Sequence, residues 1–120
     1  MNSRIDHFVI GAPSLAQGVA YVERTLGVQI PPGGAHTRMG THNHLMKLGD
    51  QVFLEVIASD PQLSEPDGPR WYGLDDPFVR TRIAAEPCLL TWVVNCDDIH
   101  SLLAGQSFDY GRIERCRGIS

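Results

Sequence analysis

The six residues Val52-Phe53-Leu54-Glu55-Val56-Ile57 constrain this chain more than any other stretch. Large apolar side chains, most of them β-branched or aromatic, predict a strand. The one charge, Glu55, sits in the middle of the run. A carboxylate there is costly to bury unless a polar partner meets it. Glu55 therefore lies either at a solvent-facing edge or in a cavity that supplies partners.

The preceding residues predict a hairpin. Asn43 to Leu48 form one arm, Gly49-Asp50 the turn, and Gln51 to Ala58 the other arm. In a two-residue turn Leu48 faces Gln51, which sets His44 opposite Glu55. Alternation then puts His42, His44, Met46, Phe53, Glu55 and Ile57 on one side of the sheet. Asn43, Leu45, Lys47, Val52, Leu54 and Val56 take the other. His44 is thus expected beside Glu55, as a catalytic partner or a neighbouring ligand. A slip of one residue would remove it from that face.

Upstream, Ile5 to Ile10 reads as a strand ending at Gly11-Ala12-Pro13. Ser14 is placed to cap a helix through its hydroxyl. Leu15, Val19, Val22 and Leu26 recur at helical spacing, and Gly27 suits the left-handed residue after the helix. Val28 to Ile30 is expected as a short strand, and Pro31-Pro32-Gly33-Gly34 as a stop to regular structure. Prolines at 61, 66, 69, 77 and 87 make a long strand improbable between Ser59 and Pro87. Trp71, Tyr72, Leu74 and Phe78 give that segment something to pack with, so it is expected to be an ordered connection. Leu89 to Val94 reads as a strand, Asp97 or Asp98 as the cap of a helix through Leu103, and Phe108 to Ile113 as the start of another strand.

Aligning Ser14-Leu15 with Asp98-Ile99 lays His7, Phe8, Val9 and Ile10 over Thr91, Trp92, Val93 and Val94. The order then reads as a repeat. The expected fold class is α+β: a βαβββ module forming a curved mixed sheet, followed by a partial second βαβ module. Residues 1–60 make the first module, 61–88 the Pro-rich connection and 89–120 the incomplete second module, all in one domain.

Charge and cysteine usage narrow the function classes. Ten basic against fourteen acidic residues give a net charge of −4, whereas binding through nucleic-acid phosphates favours a basic surplus. No apolar run reaches signal-peptide or membrane-span length. The three cysteines, at 88, 96 and 116, are odd in number and widely spaced, which argues against a disulfide framework. The expectation is a cytoplasmic protein with free thiols that engages neither nucleic acid nor membrane.

Several segments carry a resemblance. Ile5-Asp6-His7-Phe8-Val9, Gly40-Thr41-His42-Asn43-His44-Leu45, Leu48-Gly49-Asp50, Phe53-Leu54-Glu55-Val56-Ile57, Pro69-Arg70-Trp71-Tyr72-Gly73-Leu74 and Thr91-Trp92 are similar, in order and spacing, to the glyoxalase-like domain group. That group belongs to the vicinal oxygen chelate superfamily, with glyoxalase I, extradiol dioxygenases and fosfomycin-resistance proteins. The resemblance implies paired βαβββ modules curved around a cavity, and a divalent metal held by the first and last strands of each module. It puts His7 at the first-strand ligand position and Glu55 at the last-strand position. Imidazole and carboxylate suit Zn, Mn, Fe, Co or Ni. Thr91 stands where the second module would supply its first-strand ligand, and the last strand of that module is missing, so a metal-free protein is the other expectation.

The candidate metal set is therefore His7, Glu55 and His44, with Glu55 and His44 as the candidate catalytic pair. Asn43 could bond a ligand, Arg70 could hold a carboxylate through its fork of donors, and Trp71 and Tyr72 could cover the cavity mouth. Three functions compete: metal-assisted lyase, isomerase or dioxygenase-like chemistry on a small oxygenated molecule; small-molecule binding or sequestration without turnover; and an incomplete module stabilised by self-association. Uncovered sheet edge or apolar surface predicts a homodimer.

Overall fold

The first helix starts and stops where its capping residues dictate. In the computed structural model, which describes residues 2–109 and Ile113, α1 spans Leu15–Leu26. Ser14 Oγ accepts the Gln17 N–H at 3.2 Å. Gly27 takes φ 71 and returns its own N–H to Glu23 O at 2.9 Å, a conformation that costs glycine no Cβ clash.

Among the described residues, five strands form one curved, unclosed mixed sheet: β1 (Ser3–Gly11), β2 (Pro32–His36), β3 (Thr41–Lys47), β4 (Phe53–Ser59) and β5 (Cys88–Cys96). Their order is β2-β3-β4-β1-β5. β1 runs parallel to β4, and the other neighbours are antiparallel. Helices α2 (Pro77–Ala85) and α3 (Ile99–Ala104) complete an α+β fold with a βαβββ beginning. Among the described residues no helix is long and apolar enough to cross a membrane.

β4 is central, and Leu54 to Ala58 are buried on both of its faces. On one face Leu54 and Val56 pack with Val22 of α1 and with Ile30, Phe8 and Ile10. On the other, Ile57 and Val9 pack with Leu74 and with Ile83 of α2. Glu55 alternates with Leu54 and Val56, so it projects to the second face.

The pairing of β1 with β5 is internally symmetric. His7↔Val93 and Val9↔Thr91 flank Phe8↔Trp92. Exchanging His7 with Thr91 and Val9 with Val93 maps the two outer pairs onto each other and the central pair onto itself.

The structure corrects the hairpin register. Leu45 lies opposite Glu55, and His44 lies opposite Val56. The connection is not a two-residue turn: the N–H groups of Leu48 and Gly49 both donate to Val52 O, at 2.8 and 3.2 Å. Closing the hairpin through 48–52 shifts the partner of every residue by one position and reverses which faces meet. His42 and His44 therefore share the α1 face, away from Glu55.

The expected strand at Val28 to Ile30 is also corrected. The regular segment is β2, beginning within Pro31-Pro32-Gly33-Gly34 itself. Pro32 is tolerated because it opens an edge strand, and the pairing shifts between Pro32 and Ala35. In the Pro-rich connection, Asp76 caps α2 by accepting the Phe78 and Val79 N–H groups at 2.8 and 3.4 Å. Pro77 occupies the first turn, where a missing N–H is harmless. The strand expected over 108–113 lies largely outside the described residues.

Candidate functional site

Glu55 is only 2% exposed, so its carboxylate must find its partners inside the protein. Strand geometry brings two. Asn43 lies opposite Ile57 on β3, one pair along on the same face, and its amide nitrogen donates to Glu55 Oε2 at 2.6 Å. From β1, where Val9 pairs with Glu55 and His7 with Phe53, His7 Nε2 reaches to 3.4 Å from Oε1. Phe53 supports that imidazole from below, stacked at 4.4 Å and 10°.

The polar contacts continue in both directions. Asp6 Oδ2 lies 2.7 Å from His7 Nδ1. Asp6 is reached by a shift in register between Ile5 and His7 that lets successive residues contact one another. At the other end, Gly34 N–H donates to Asn43 Oδ1 at 2.9 Å. This fixes the amide so that its NH2 group faces Glu55 and His36, whose Nε2 is 3.4 Å away. His36 Nε2 is therefore the acceptor, and Nδ1–H points to Thr41 Oγ1 at 2.8 Å. Trp71 meets His36 edge-on, with centroids 5.1 Å apart. No buried side-chain nitrogen or oxygen among the described residues lacks a partner.

The two histidines are driven in opposite directions. Burial pushes His7 down, but the hydrogen bonds and charges of Glu55 and Asp6 outweigh it, so His7 binds its proton more tightly than usual. Burial dominates at His36 and lowers its pKa, with the Glu55 charge opposing only in part. The two carboxylates beside His7 thus favour its protonated form, and burial favours the neutral form of His36 at the far end of Asn43.

A divalent cation fits part of this arrangement. With its Nδ1 proton held by Asp6, a neutral His7 turns an Nε2 lone pair toward a carboxylate oxygen. Two such electron-rich atoms need a proton or a metal between them, and a carboxylate behind the imidazole favours metal ligation. The second Glu55 oxygen is taken by Asn43, so Glu55 would bind through Oε1 alone. Among the described residues no group of three or more His, Cys, Asp and Glu gathers to hold a metal. Thr91, opposite Val9, turns its hydroxyl to the carbonyl of Trp92 at 3.1 Å. The fit is that of a half-site with two protein donors.

The other expected site residues divide. Asn43 and Trp71 join the cluster. Tyr72 adopts φ 60, a left-handed conformation that strains a non-glycine residue, and packs beside Val9, Ile57, Leu74 and Ile83. Arg70 bonds Gly40 O, Asp75 and Glu65 instead. His44 Nδ1 contacts Ile30 O at 2.9 Å on the α1 side. Sequence reasoning missed Asp6 and gave His36 no role. The signal for His36 was the pair Gly33-Gly34 just before it: a Cβ on Gly33 would collide with Asn43 Oδ1, so glycine there admits the amide that links His36 to Glu55.

A curved sheet in βαβββ order, with a partly buried His7 on its first strand facing a buried Glu55 on its fourth, is the arrangement of a module of the vicinal oxygen chelate type. The chain belongs to the glyoxalase-like domain family, whose family model matches residues 5–114. A comparison with curated proteins gave no match.

Proposed function

We propose that the His7–Glu55 pair is the centre of a glyoxalase-like site for a small oxygenated molecule and a divalent cation, with lyase, isomerase or dioxygenase-like chemistry. The 3.4 Å approach of His7 Nε2 to Glu55 Oε1 carries this reading. Both atoms could face one ion, held from behind by Asp6 and Asn43. A bound Zn, Mn, Fe, Co or Ni ion would supply Lewis acidity toward substrate oxygens. Glu55 Oε1 serves as the metal ligand or, where no ion takes it, as the proton acceptor, since Oε2 is committed to Asn43. His7 holds or releases the proton that balances the carboxylate.

Elemental analysis of protein purified without added metal or a histidine tag tests this reading. The expected result is near one ion per chain, lost in Glu55→Gln. No ion at purification and none taken up on titration would overturn the metal-dependent reading. A second reading, ligand binding without turnover, is favoured by the short Asn43 bond, which restrains the carboxylate, and by a pair of protein donors, rather than a group of three, among the described residues. Saturable binding of a substrate-like molecule that is recovered unchanged would select it.

Self-association also has support. Among the described residues β5 is an edge strand with Leu89, Trp92 and Val94 exposed, and an apolar edge of this kind invites pairing. A homodimer in the cytoplasm is the corresponding proposal, and a monodisperse monomer in light scattering over a range of concentrations would overturn the dimer.

A further inference from the structure

The carboxyl ends of the parallel strands β1 and β4 meet the first turn of α1 at a cleft of about 420 Å³. His7, Asn43 and Glu55 take no part in lining it. Arg70 does, with a side chain only 4% exposed. A guanidinium buried to that degree needs its donors paired. Two of its partners belong to the fold. Nε donates to Gly40 O at 3.2 Å, and one arm donates to Asp75 Oδ1 at 2.8 Å. Asp75 is itself fixed by the Arg70 backbone N–H at 2.7 Å and by Arg80 at 2.9 Å.

The third partner differs in kind. The other arm of Arg70 donates to Glu65 Oε2 at 3.1 Å, and the Glu65 side chain is 84% exposed. Glu65 gives up little burial by leaving, and the buried Arg70 donor it frees must then be paired by whatever takes its place. Its carboxylate occupies a place that a ligand carboxylate could take, charge for charge.

A second group faces the same cleft. His42 Nδ1 lies 3.3 Å from Asp60 Oδ2. Asp60 is anchored by the Gln62 N–H at 2.9 Å and by its own N–H to Gly40 O at 2.9 Å. No hydrogen bond to His42 Nε2 is made among the described residues. In the tautomer that carries its proton on Nδ1, toward Asp60, Nε2 is an acceptor.

We propose that this cleft binds a small hydroxycarboxylate, whose carboxylate displaces Glu65 from Arg70 and whose hydroxyl donates to His42 Nε2. Glu65 is then an internal competitor that caps the site. A monoanion replaces Glu65 without changing the local charge, whereas a phosphate dianion would add negative charge beside Asp60 and Asp75. This assignment does not rest on the His7–Glu55 reading, and its failure leaves that reading untouched.

Titration of glycolate, acetate and inorganic phosphate into the full chain, followed by amide and His42 ring NMR shifts, tests the proposal. Saturable glycolate binding is expected, tighter than acetate or phosphate. Glu65→Gln should tighten it by about two- to fivefold, the scale of an exposed ion pair. His42→Leu should bring glycolate down to the affinity of acetate. Absence of saturable glycolate binding, an unchanged affinity in Glu65→Gln, equal binding of glycolate and acetate by the unaltered protein, or tighter binding of phosphate would each overturn it.

Discussion

Asn43 Nδ2 lies 2.6 Å from Glu55 Oε2, and both residues are 2% exposed. The bond joins β3 to β4 on the face away from α1. It also orients Glu55, since holding Oε2 leaves Oε1 for His7. Replacing Asn43 by Ala removes a donor from a buried carboxylate and leaves Gly34 N–H and His36 Nε2 without their partner. The expected loss is about 2–4 kcal/mol, the range for buried polar groups left unpaired beside a charge. Urea unfolding at neutral pH measures it. Asn43→Asp should cost more at pH 8 than at pH 5, because two facing carboxylates can share a proton only where one is available.

The opposed shifts of His7 and His36 give a pH dependence with a definite sign. His7 has a raised pKa in the folded state. Its contribution is fully present below the ordinary value of 6.5 and is lost as pH rises through the folded value. His36 has a lowered pKa. Its neutral form suits the folded state, so its contribution is present above 6.5 and is lost as pH falls toward the folded value. Ring-proton NMR titration should place His7 above the ordinary value and His36 below it. In Glu55→Gln, His7 should move down for loss of its main partner. His36 should fall further, because the Glu55 charge opposes its shift. A His7 that titrates below the ordinary value would contradict the dominance of Glu55 and Asp6 over burial.

Gly33 and Gly49 separate a packing requirement from mere turn composition. A Cβ at Gly33 would collide with Asn43 Oδ1, whereas a Cβ at Gly49 meets nothing within 4 Å. Gly33→Ala must therefore displace Asn43 or β2, and overpacking of this kind costs about 1–3 kcal/mol. Gly49→Ala should fall within about 0.5 kcal/mol of the parent. Thermal or urea unfolding of the pair checks the contrast. In Gly33→Ala the His7 titration should also shift, since the collision reaches Glu55 through Asn43.

These residues also show what the sequence could and could not reveal. The run from Val52 to Ile57 reads as a strand, and Ser14 and Gly27 as local caps; such short-range signals were legible, although burial of Glu55 was one of two options. The partner of Glu55 was not. It depends on whether five residues or two close the hairpin, a choice made by where the N–H groups of Leu48 and Gly49 bond. That one-residue difference exchanges His44 for Asn43. His36 was hidden for a related reason. Pro-Pro-Gly-Gly reads locally as a stop, and only the pairing of Ala35 with His42 and of His36 with Thr41 makes it an edge strand. Helix α2 had its signature in Asp76-Pro77, obscured by the surrounding prolines.

Metal uptake should depend on pH through His7 and on β4 through one side chain only. A metal held by His7 Nε2 would compete with the proton that Glu55 and Asp6 favour there, so uptake should release protons, more at low pH than at high pH. Affinity should rise with pH until His7 is neutral in the metal-free protein, then level off. Glu55→Gln removes the carboxylate charge and should abolish uptake. His44→Gln changes a residue on the opposite face, hydrogen-bonded to Ile30 O, and should leave uptake unaltered. Calorimetric titration with Zn and Mn in two buffers of different ionisation enthalpy measures both the affinity and the proton count. Proton release that persists in His7→Gln, or uptake lost in His44→Gln but retained in Glu55→Gln, would move the site to the α1 face and exclude the His7–Glu55 pair as its centre.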